Sequence, residues 1–317
     1  MKILFKSMVA LIAIITFSCS NTNNPQNCQK ILDPQLAIFY DCQPNPSNCT
    51  EGSVTAAEKT KVLNRLNQIR TIHGLPKVTY NFAEDNLVQK AALLTLANKV
   101  MTHQPSSVAH CFSDDAYNGC DQSNLWLGTA SAIYQFSSEQ MVDSWLIDKD
   151  VLSLGHRRWM LNPYLSKISF GRADGFDAST KLTCAGVIKI FDRKNQEIKT
   201  SFSGNYVAYP VNEYPKSLFN SKWYYSFSVV IDPNNLWASQ SVDYSSASVT
   251  MVDEGGTALS VSGIKYDNEG YGVPNSLQWL GGSSIQESVK YNVTIKNVIV
   301  NGISKNYSYW FKINPTN

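Results

Sequence analysis

The sequence lacks the short motifs that most directly identify a reaction. Its seven cysteines include no Cys-x-x-Cys pair, and its four histidines include no His-Glu-x-x-His. Ser123 is a possible nucleophile, but it has Asp121 and Leu125 at the two positions where the Gly-x-Ser-x-Gly nucleophile elbow of a hydrolase has glycines. The common zinc-ribbon, helical zinc-protease and α/β-hydrolase patterns are therefore absent.

Beyond the N-terminus the chain also lacks long apolar runs. Lys2 and Lys6 precede an apolar run over residues 8–17, which is too short to span a bilayer and typical of a signal peptide. Ser18-Cys19 follows, as at the cleavage site of a bacterial lipoprotein signal. We therefore predict a lipoprotein-type signal peptide over residues 1–18 and lipidation of Cys19, with ordinary secretion as the alternative.

No block of one charge is present either. Residues 1–18 hold two of the 27 basic residues and none of the 25 acidic ones, so the rest of the chain has no net charge. This balance gives no electrostatic basis for binding nucleic acid or an anionic membrane. The sequence predicts an exported protein, membrane-anchored through its N-terminal lipid alone and facing the periplasm or the extracellular space.

Cysteine usage agrees with export to an oxidising compartment. Cys111 and Cys120 enclose a short segment containing Asn118-Gly119, which favours a disulfide between them. The remaining cysteines cannot be paired from the sequence, and they are Cys28, Cys42, Cys49 and Cys184.

Composition and periodicity divide the chain into a polar tether, a mixed domain and a strand-rich domain. Residues 19–52 are rich in Asn, Pro, Gln and Ser and predict the lipidated tether. Residues 53–205 begin with a capping box at Thr55-Ala-Ala-Glu58 and have helical periodicity in three segments, which predicts helices ending near residues 73, 101 and 149. Strand patterns follow at 167–172 and 183–192, so this domain is predicted to be an α+β sandwich.

Residues 206–317 have no long helical pattern. Residues 206–215 are predicted to form a linker, and turn signals then separate six short strand patterns. The predicted strands cover residues 223–231, 247–252, 259–264, 277–280, 291–299 and 307–313. This spacing predicts an all-β sandwich of immunoglobulin-like size.

Five short motifs in the mixed domain occur in the order known from one family. They are Leu66-Asn67-Gln-Ile-Arg70, Met101-x-His103, Gln122-Ser123-Asn124-Leu125, Trp145-x-x-Asp148 and Gly155-His156-Arg157 followed by Leu161-Asn162-Pro163. Together they resemble the CAP domain (cysteine-rich secretory protein, antigen 5, pathogenesis-related 1), also called SCP, in the form found in bacterial extracellular lipoproteins. The resemblance implies an α-β-α sandwich with a cleft that holds two histidines and two acids.

Mapped onto this chain, the resemblance implies a specific ligand cleft. His103 and His156 match the cleft histidines, Asp148 matches the second acid, and Ser123 stands in place of the first acid. We therefore predict a ligand cleft formed by His103, Ser123, Asn124, Asp148, His156 and Arg157.

The same residues allow two kinds of chemistry. His103, Asp148 and His156 could hold a divalent metal such as zinc at a three-ligand open site. Ser123 with the two histidines and Asp148 supplies the residue types of a serine-type relay. The alternative is that both histidines are hydrogen-bonded lining of a polar cleft, and that Arg157 is either an anion clamp or a salt-bridge residue.

These observations favour a binding protein over an enzyme. The first hypothesis is that the cleft binds a small apolar or lipid-like ligand, a peptide or a protein partner. The second is a metal-dependent or serine-type hydrolase. The third is an adhesin in which aromatic residues of the C-terminal domain, among them Trp223, Trp237, Tyr266, Tyr271 and Trp279, stack on carbohydrate.

Overall fold

The fold is that of a computed structural model of the 317-residue chain. The structure describes residues 34–131, 136–176, 181–191, 197–282 and 285–315. The predicted signal peptide, Cys19 and Cys28 lie outside these residues. Within these ranges, no helix is both long enough and apolar enough to cross a membrane.

The N-terminal part, over the residues described, combines five α-helices with a four-stranded sheet. The helices are α1 (Ala56–Ile72), α2 (Asp85–Asn98), α3 (Asp114–Asp121), α4 (Ser138–Ile147) and α5 (Gly155–Met160). Two short strands, β1 (Tyr40–Cys42) and β2 (Ser53–Val54), pair with each other outside this sheet. The strands of the four-stranded sheet are β3 (Thr79–Tyr80), β4 (Ser123–Ala130), β5 (Lys167–Phe176) and β6 (Leu182–Lys189). The sheet order is β3-β5-β6-β4, with β6 antiparallel to both neighbours and β3 parallel to β5.

Strand β6 is the centre of a three-layer sandwich. Ala185 and Val187 pack in a core with α2 and α3, whereas Cys184 and Ile188 pack with α1 and α4 on the opposite face. Gly186 shares the second face, where a Cβ would lie 2.3 Å from the Met141 sulfur. Because side chains alternate along a strand, the fully buried β6 separates two helical layers. This is the predicted α-β-α sandwich.

Residues 34–52, which we expected to belong to a tether, pack on this sandwich. Phe39 and Tyr40 are buried, and the Phe39 ring lies 3.5 Å from the guanidinium carbon of Arg172. The Tyr40 hydroxyl donates to Asp174, which also accepts from Arg172 Nε at 2.7 Å. A polar segment is thus held to the domain by a few buried aromatic residues.

The predicted Cys111–Cys120 disulfide is wrong, because Cys111 pairs with Cys49 instead. Cys120 is buried within α3 as a free thiol, in the core between α2, α3 and the sheet. Gly119, which suggested a turn, also lies in α3, where a Cβ would approach the Leu87 carbonyl oxygen to 2.4 Å. Cys184 is likewise free and buried, and Cys42 is disulfide-bonded.

The C-terminal part, as far as the structure describes it, consists of two sheets. Its strands are β7 (Tyr206–Tyr209), β8 (Asn212–Pro215), β9 (Tyr225–Val229), β10 (Ser248–Asp253), β11 (Ala258–Leu259), β12 (Val261–Asp267), β13 (Ser276–Gly281), β14 (Lys290–Val300) and β15 (Ile303–Asn314). One sheet has the order β11-β10-β14-β15-β8, and the other has the order β12-β13-β9-β7. The predicted linker at 206–215 is therefore wrong, because these residues form β7 and β8.

Aromatic rings fill the space between the two sheets. Tyr225 of β9 lies 5.7 Å from Phe311 of β15, and Phe227 stacks 6.4 Å from Tyr309, measured between ring centroids. The opposite face of β9 carries Ser226 and Ser228, and Ser226 Oγ accepts from Arg157 Nη1 of the N-terminal part at 3.3 Å. All five residues of the strand are buried. The prediction of an all-β C-terminal region is confirmed, and the region lies directly against the helical sandwich.

Candidate functional site

Asp148 holds His156 in a fixed orientation. It follows α4 in a left-handed backbone conformation (φ 54°), and its buried carboxylate reaches the first turn of α5. Oδ1 accepts a 2.7 Å hydrogen bond from His156 Nδ1, and Oδ2 accepts one of 3.2 Å from the Arg157 amide. Because a carboxylate only accepts, Nδ1 carries the hydrogen, and Nε2 of the neutral ring is left with its lone pair.

His103 is held in the same way by a main-chain group. It lies in the loop after α2, and its Nδ1 donates to the Cys120 carbonyl oxygen at 2.8 Å. Nε2 is again the acceptor nitrogen of the neutral ring. Neither Nε2 atom has a hydrogen-bond partner among the residues that the structure describes.

Both histidines line one cleft of about 610 Å³. The helical part also contributes Asp121, Asn124, Val151, Ser153, Gly155 and Trp159 to its lining, and the segment after β6 contributes Phe191. Asn124 donates from Nδ2 to the His156 carbonyl oxygen at 3.1 Å. Trp159 and Phe191 stack with their ring centroids 4.4 Å apart, which gives the cleft an apolar wall.

The C-terminal part of the chain also contributes to the lining of the cleft. Trp237, Glu269, Gly270 and Tyr271 complete the lining, and the two aromatic side chains are partly exposed. Sequence reasoning missed these residues as parts of the cleft. The signal available was an aromatic residue within a turn, Glu269-Gly270-Tyr271, although the sequence by itself assigns Tyr271 only to a possible adhesive surface.

Arg158 positions this part of the lining. Its Nη1 contacts both Asp267 carboxylate oxygens at 2.9 and 3.1 Å, and its Nη2 donates to the Glu269 carbonyl oxygen at 2.9 Å. Gly272 has a φ of 68°, and a Cβ there would lie 2.4 Å from the Arg158 carbonyl oxygen. The loop between β12 and β13 therefore lies directly on α5, next to His156.

Arg157 belongs to the interface between the two parts and not to the cleft. Its guanidinium donates to the carbonyl oxygens of Leu146, Ile147 and Tyr224 at 2.6–2.7 Å and lies 3.7 Å from the centroid of the Tyr209 ring. Burial lowers the pKa of Arg157 below its usual value. The predicted role of Arg157 in the cleft is wrong because its side chain is fully engaged with buried carbonyl groups.

Ser123 does not reach the cleft either. It begins β4, where its side chain is buried and its Oγ has no hydrogen-bond partner among the described residues. Asp148 is covered by His156 and Arg157 and is also absent from the described lining. The structure therefore does not assemble the serine-type relay that the residue types suggested.

The predicted zinc ligands do not form a preformed three-ligand group. The Asp148 carboxylate accepts from His156 Nδ1 and from the Arg157 amide and is absent from the described lining, so it does not join the two histidines in the cleft. Within the described ranges, the single group of three donor atoms within 4.8 Å of one another belongs to Cys49, His110 and Cys111. Two of these residues form the disulfide, so this group does not support metal binding either.

The N-terminal part is an α-β-α sandwich with two histidines in one cleft. Comparison with known protein families identifies this domain. Residues 63–185 match the model of the cysteine-rich secretory protein family, CAP. The chain carries a CAP domain, as the sequence motifs predicted. No curated protein matches the chain in sequence.

Several solved structures are similar to parts of the chain. MpPR-1i is 14% identical with a TM-score of 0.27 and covers 44% of this chain and 92% of its own. An outer surface protein from Borrelia burgdorferi is 15% identical with a TM-score of 0.27 and covers 44% of this chain and 96% of its own. An extracellular protein containing an SCP domain from Bacillus anthracis is 17% identical with a TM-score of 0.24 and covers 41% of this chain and 40% of its own.

Proposed function

We propose that this protein is an exported CAP-domain binding protein that takes a small ligand into the two-histidine cleft. The observation that carries the proposal is the construction of the cleft from both parts of the chain. Trp159 and Phe191 stack on each other in the lining, Trp237 and Tyr271 of the C-terminal part also line the cleft, and so do the two oriented histidines. Aromatic walls with a few fixed polar groups are typical of small-molecule sites.

The two histidines would recognise hydrogen-bond donors on the ligand. Each ring is held through Nδ1, by Asp148 or by the Cys120 carbonyl oxygen, so each Nε2 is the acceptor atom. A ring fixed in this way loses little conformational entropy on binding, and preorganisation of this kind raises affinity. A peptide or a small amphipathic molecule with N–H or O–H groups fits this description.

The test is a binding screen with histidine variants. The full chain is titrated with short peptides, oligosaccharides and palmitate, and binding is followed by calorimetry and by tryptophan fluorescence, because Trp159 and Trp237 line the cleft. We expect His103→Gln and His156→Gln each to weaken binding of the best probe by about tenfold, the loss of roughly one well-formed hydrogen bond. His110→Gln is the matched control, since His110 is exposed and bonds to the Pro46 carbonyl oxygen outside the cleft. Binding that is insensitive to both cleft variants would contradict the proposal.

Hydrolysis is a second candidate, favoured by the Asp148–His156 hydrogen bond of 2.7 Å. A carboxylate that orients a histidine is the usual arrangement for a general base, which could here activate a water molecule. Turnover of p-nitrophenyl acetate that falls to the background rate in both His156→Gln and Asp148→Ala would support it. Turnover that persists in His156→Gln would rule His156 out as the base.

We also propose membrane attachment through a lipid on Cys19. The support is the apolar run at residues 8–17 and the Ser18-Cys19 pair that follows it. Metabolic labelling with a radioactive fatty acid should label the natural chain but not Cys19→Ala. Equal labelling of both forms, or labelling of neither, would contradict lipidation at this position.

A further inference from the structure

The charged groups around the cleft are of one sign. Asp121 and Glu269 line it from opposite parts of the chain, and neither lysine nor arginine occurs among the described residues of the lining. The charged side chains of the described lining, apart from the histidines, are therefore acidic. A ligand with a carboxylate or a phosphate at this position would be repelled, whereas a cationic group would be attracted.

Glu269 is the acid best placed to meet a ligand. Its main-chain carbonyl group accepts from Arg158, which fixes the loop, but its carboxylate makes no ion pair with any residue that the structure describes. The nearby guanidinium of Arg158 is directed to the Asp267 carboxylate instead. The positive charge of Arg158 is thus compensated by Asp267, and Glu269 remains as an exposed acidic residue of the lining.

Aromatic faces surround the same space. Trp159, Phe191, Trp237 and Tyr271 all line the cleft, and Trp237 and Tyr271 are 46% and 38% exposed. The Arg158 guanidinium lies 5.3 Å from the centroid of the Tyr271 ring, so this ring already interacts with one cation. Aromatic faces combined with acidic groups are the usual means of binding a quaternary or alkylated ammonium group.

We propose that the cleft selects a ligand that carries an alkylammonium group, held between the aromatic residues and paired with Glu269. This inference rests on the proposed binding function and adds the chemical class of the ligand. The histidines would contact the remainder of the molecule, and the C-terminal part would recognise its cation. The residues that determine specificity would then lie outside the CAP domain.

The test compares two probes of the same shape and different charge. Choline carries a quaternary ammonium group, and 3,3-dimethylbutan-1-ol is its neutral carbon analogue. Calorimetric titration of the full chain should give choline an affinity about tenfold higher than that of the alcohol, from the cation–π and ionic contacts together. Equal affinities, or binding of neither probe, would overturn the inference.

Variants show whether Glu269 and Trp237 carry the preference. Glu269→Gln and Trp237→Leu should each reduce choline affinity by about fivefold and leave the alcohol almost unchanged. Glu254→Gln, at an exposed turn between β10 and β11, is the matched control for general charge and should behave as the natural chain does. Thermal unfolding of each variant identifies any loss that is due to misfolding.

The outcomes separate this inference from the proposed function. If peptides, oligosaccharides or palmitate bind in a histidine-dependent way and choline binds no better than 3,3-dimethylbutan-1-ol, the proposed alkylammonium ligand is wrong. The proposed binding function would still hold. Choline binding that is unaffected by Glu269→Gln would also overturn the inference. If none of the probes binds, charged or neutral, both the proposed binding function and the alkylammonium inference are wrong.

Discussion

Arg157 and Tyr224 join the two parts of the chain through a 2.7 Å hydrogen bond from the guanidinium Nη1 to the main-chain carbonyl oxygen. The preceding residue, His156, lines the cleft. Two neighbouring residues thus serve different purposes, because successive side chains of the short helix α5 leave it in different directions. The position of the cleft histidine and the position of the C-terminal part are determined by the same turn of helix.

Replacement of Arg157 should destabilise the whole protein. Arg157→Met removes the donors to the Leu146, Ile147 and Tyr224 carbonyl groups and leaves these buried acceptors unsatisfied. We expect a loss of about 3–5 kcal/mol in the free energy of unfolding, measured in urea. The control is Arg65→Met, where a partly exposed ion pair with Asp143 is lost and the cost should be about 1 kcal/mol or less. Similar losses in both variants would contradict this account of the interface.

His73 should make stability depend on pH. Its ring is buried between Ala208 and Tyr214, with Nδ1 at 2.9 Å from the Ala208 carbonyl oxygen, and burial lowers its pKa to about 3. In the unfolded chain the histidine takes up a proton near pH 6.5, whereas the folded protein does so only near pH 3. Protonation of His73 therefore does not affect the free energy of unfolding above pH 6.5. As the pH falls from 6.5 toward 3, the unfolded chain binds the proton and the folded protein does not, so the free energy of unfolding decreases progressively, by up to about 5 kcal/mol.

The measurement for His73 is the free energy of unfolding as a function of pH. The natural chain should lose more stability between pH 6.5 and 4 than His73→Gln, which has no titrating group at this site. Carboxylates titrate in both proteins, so the difference between the two curves isolates the histidine. Parallel curves would show that His73 is not the group responsible.

Removal of Asp148 should release the His156 ring without unfolding the protein. Asp148→Ala deletes the acceptor of Nδ1 and one partner of the Arg157 amide, and we expect a loss of about 1–3 kcal/mol. The ¹⁵N chemical shifts of the His156 ring should change from one tautomer with hydrogen on Nδ1 to a mixture. Asp150→Ala is the control, because Asp150 is exposed two residues further on. An unchanged tautomer in Asp148→Ala would disprove the orienting role of this carboxylate.

The cysteines should differ in reactivity. Cys120 and Cys184 are buried free thiols, and burial raises the pKa of the Cys120 thiol to about 11, so alkylating reagents should label both only after denaturation. Peptide mapping of the unreduced protein should recover Cys49 joined to Cys111. Recovery of Cys111 joined to Cys120 would contradict the structure.

Breaking that disulfide should have a measurable cost. It closes a segment with a sequence separation of 62, so Cys49→Ser combined with Cys111→Ser should lower the free energy of unfolding by up to about 4 kcal/mol, measured in urea. A loss well below 1 kcal/mol would show that the segment stays ordered without it.

Local patterns predicted the three longest helices of the CAP domain but not α3, whose residues we expected in a disulfide-closed loop. The Thr55 side chain accepts from the Glu58 amide at 3.2 Å and begins α1, as the spacing of these residues indicated. The helix predicted to end near residue 101 ends earlier, because Lys99 takes a left-handed conformation after α2. These features depend on neighbours within one or two turns, which a single sequence contains.

The cleft was harder to predict, because its composition depends on which way side chains point and on what packs nearby. Ser123 and Asn124 are adjacent, yet only Asn124 lines the cleft, since alternate residues of β4 face opposite sides. Glu269 and Tyr271 are more than a hundred residues from His156 in sequence. Their place beside it follows from the contacts of Arg158 and Gly272, which no local pattern indicates.

The loop between β12 and β13 has a consequence for how binding specificity could diverge. It supplies Glu269 and Tyr271 to the cleft, and neither residue belongs to the buried core, whereas Val273 of the same loop does. Under the proposed function, substitutions at Glu269 and Tyr271 can therefore change the ligand while the histidines, Asp148 and the helical sandwich remain as they are. Proteins that share this CAP domain need not share a ligand if they carry different companion domains.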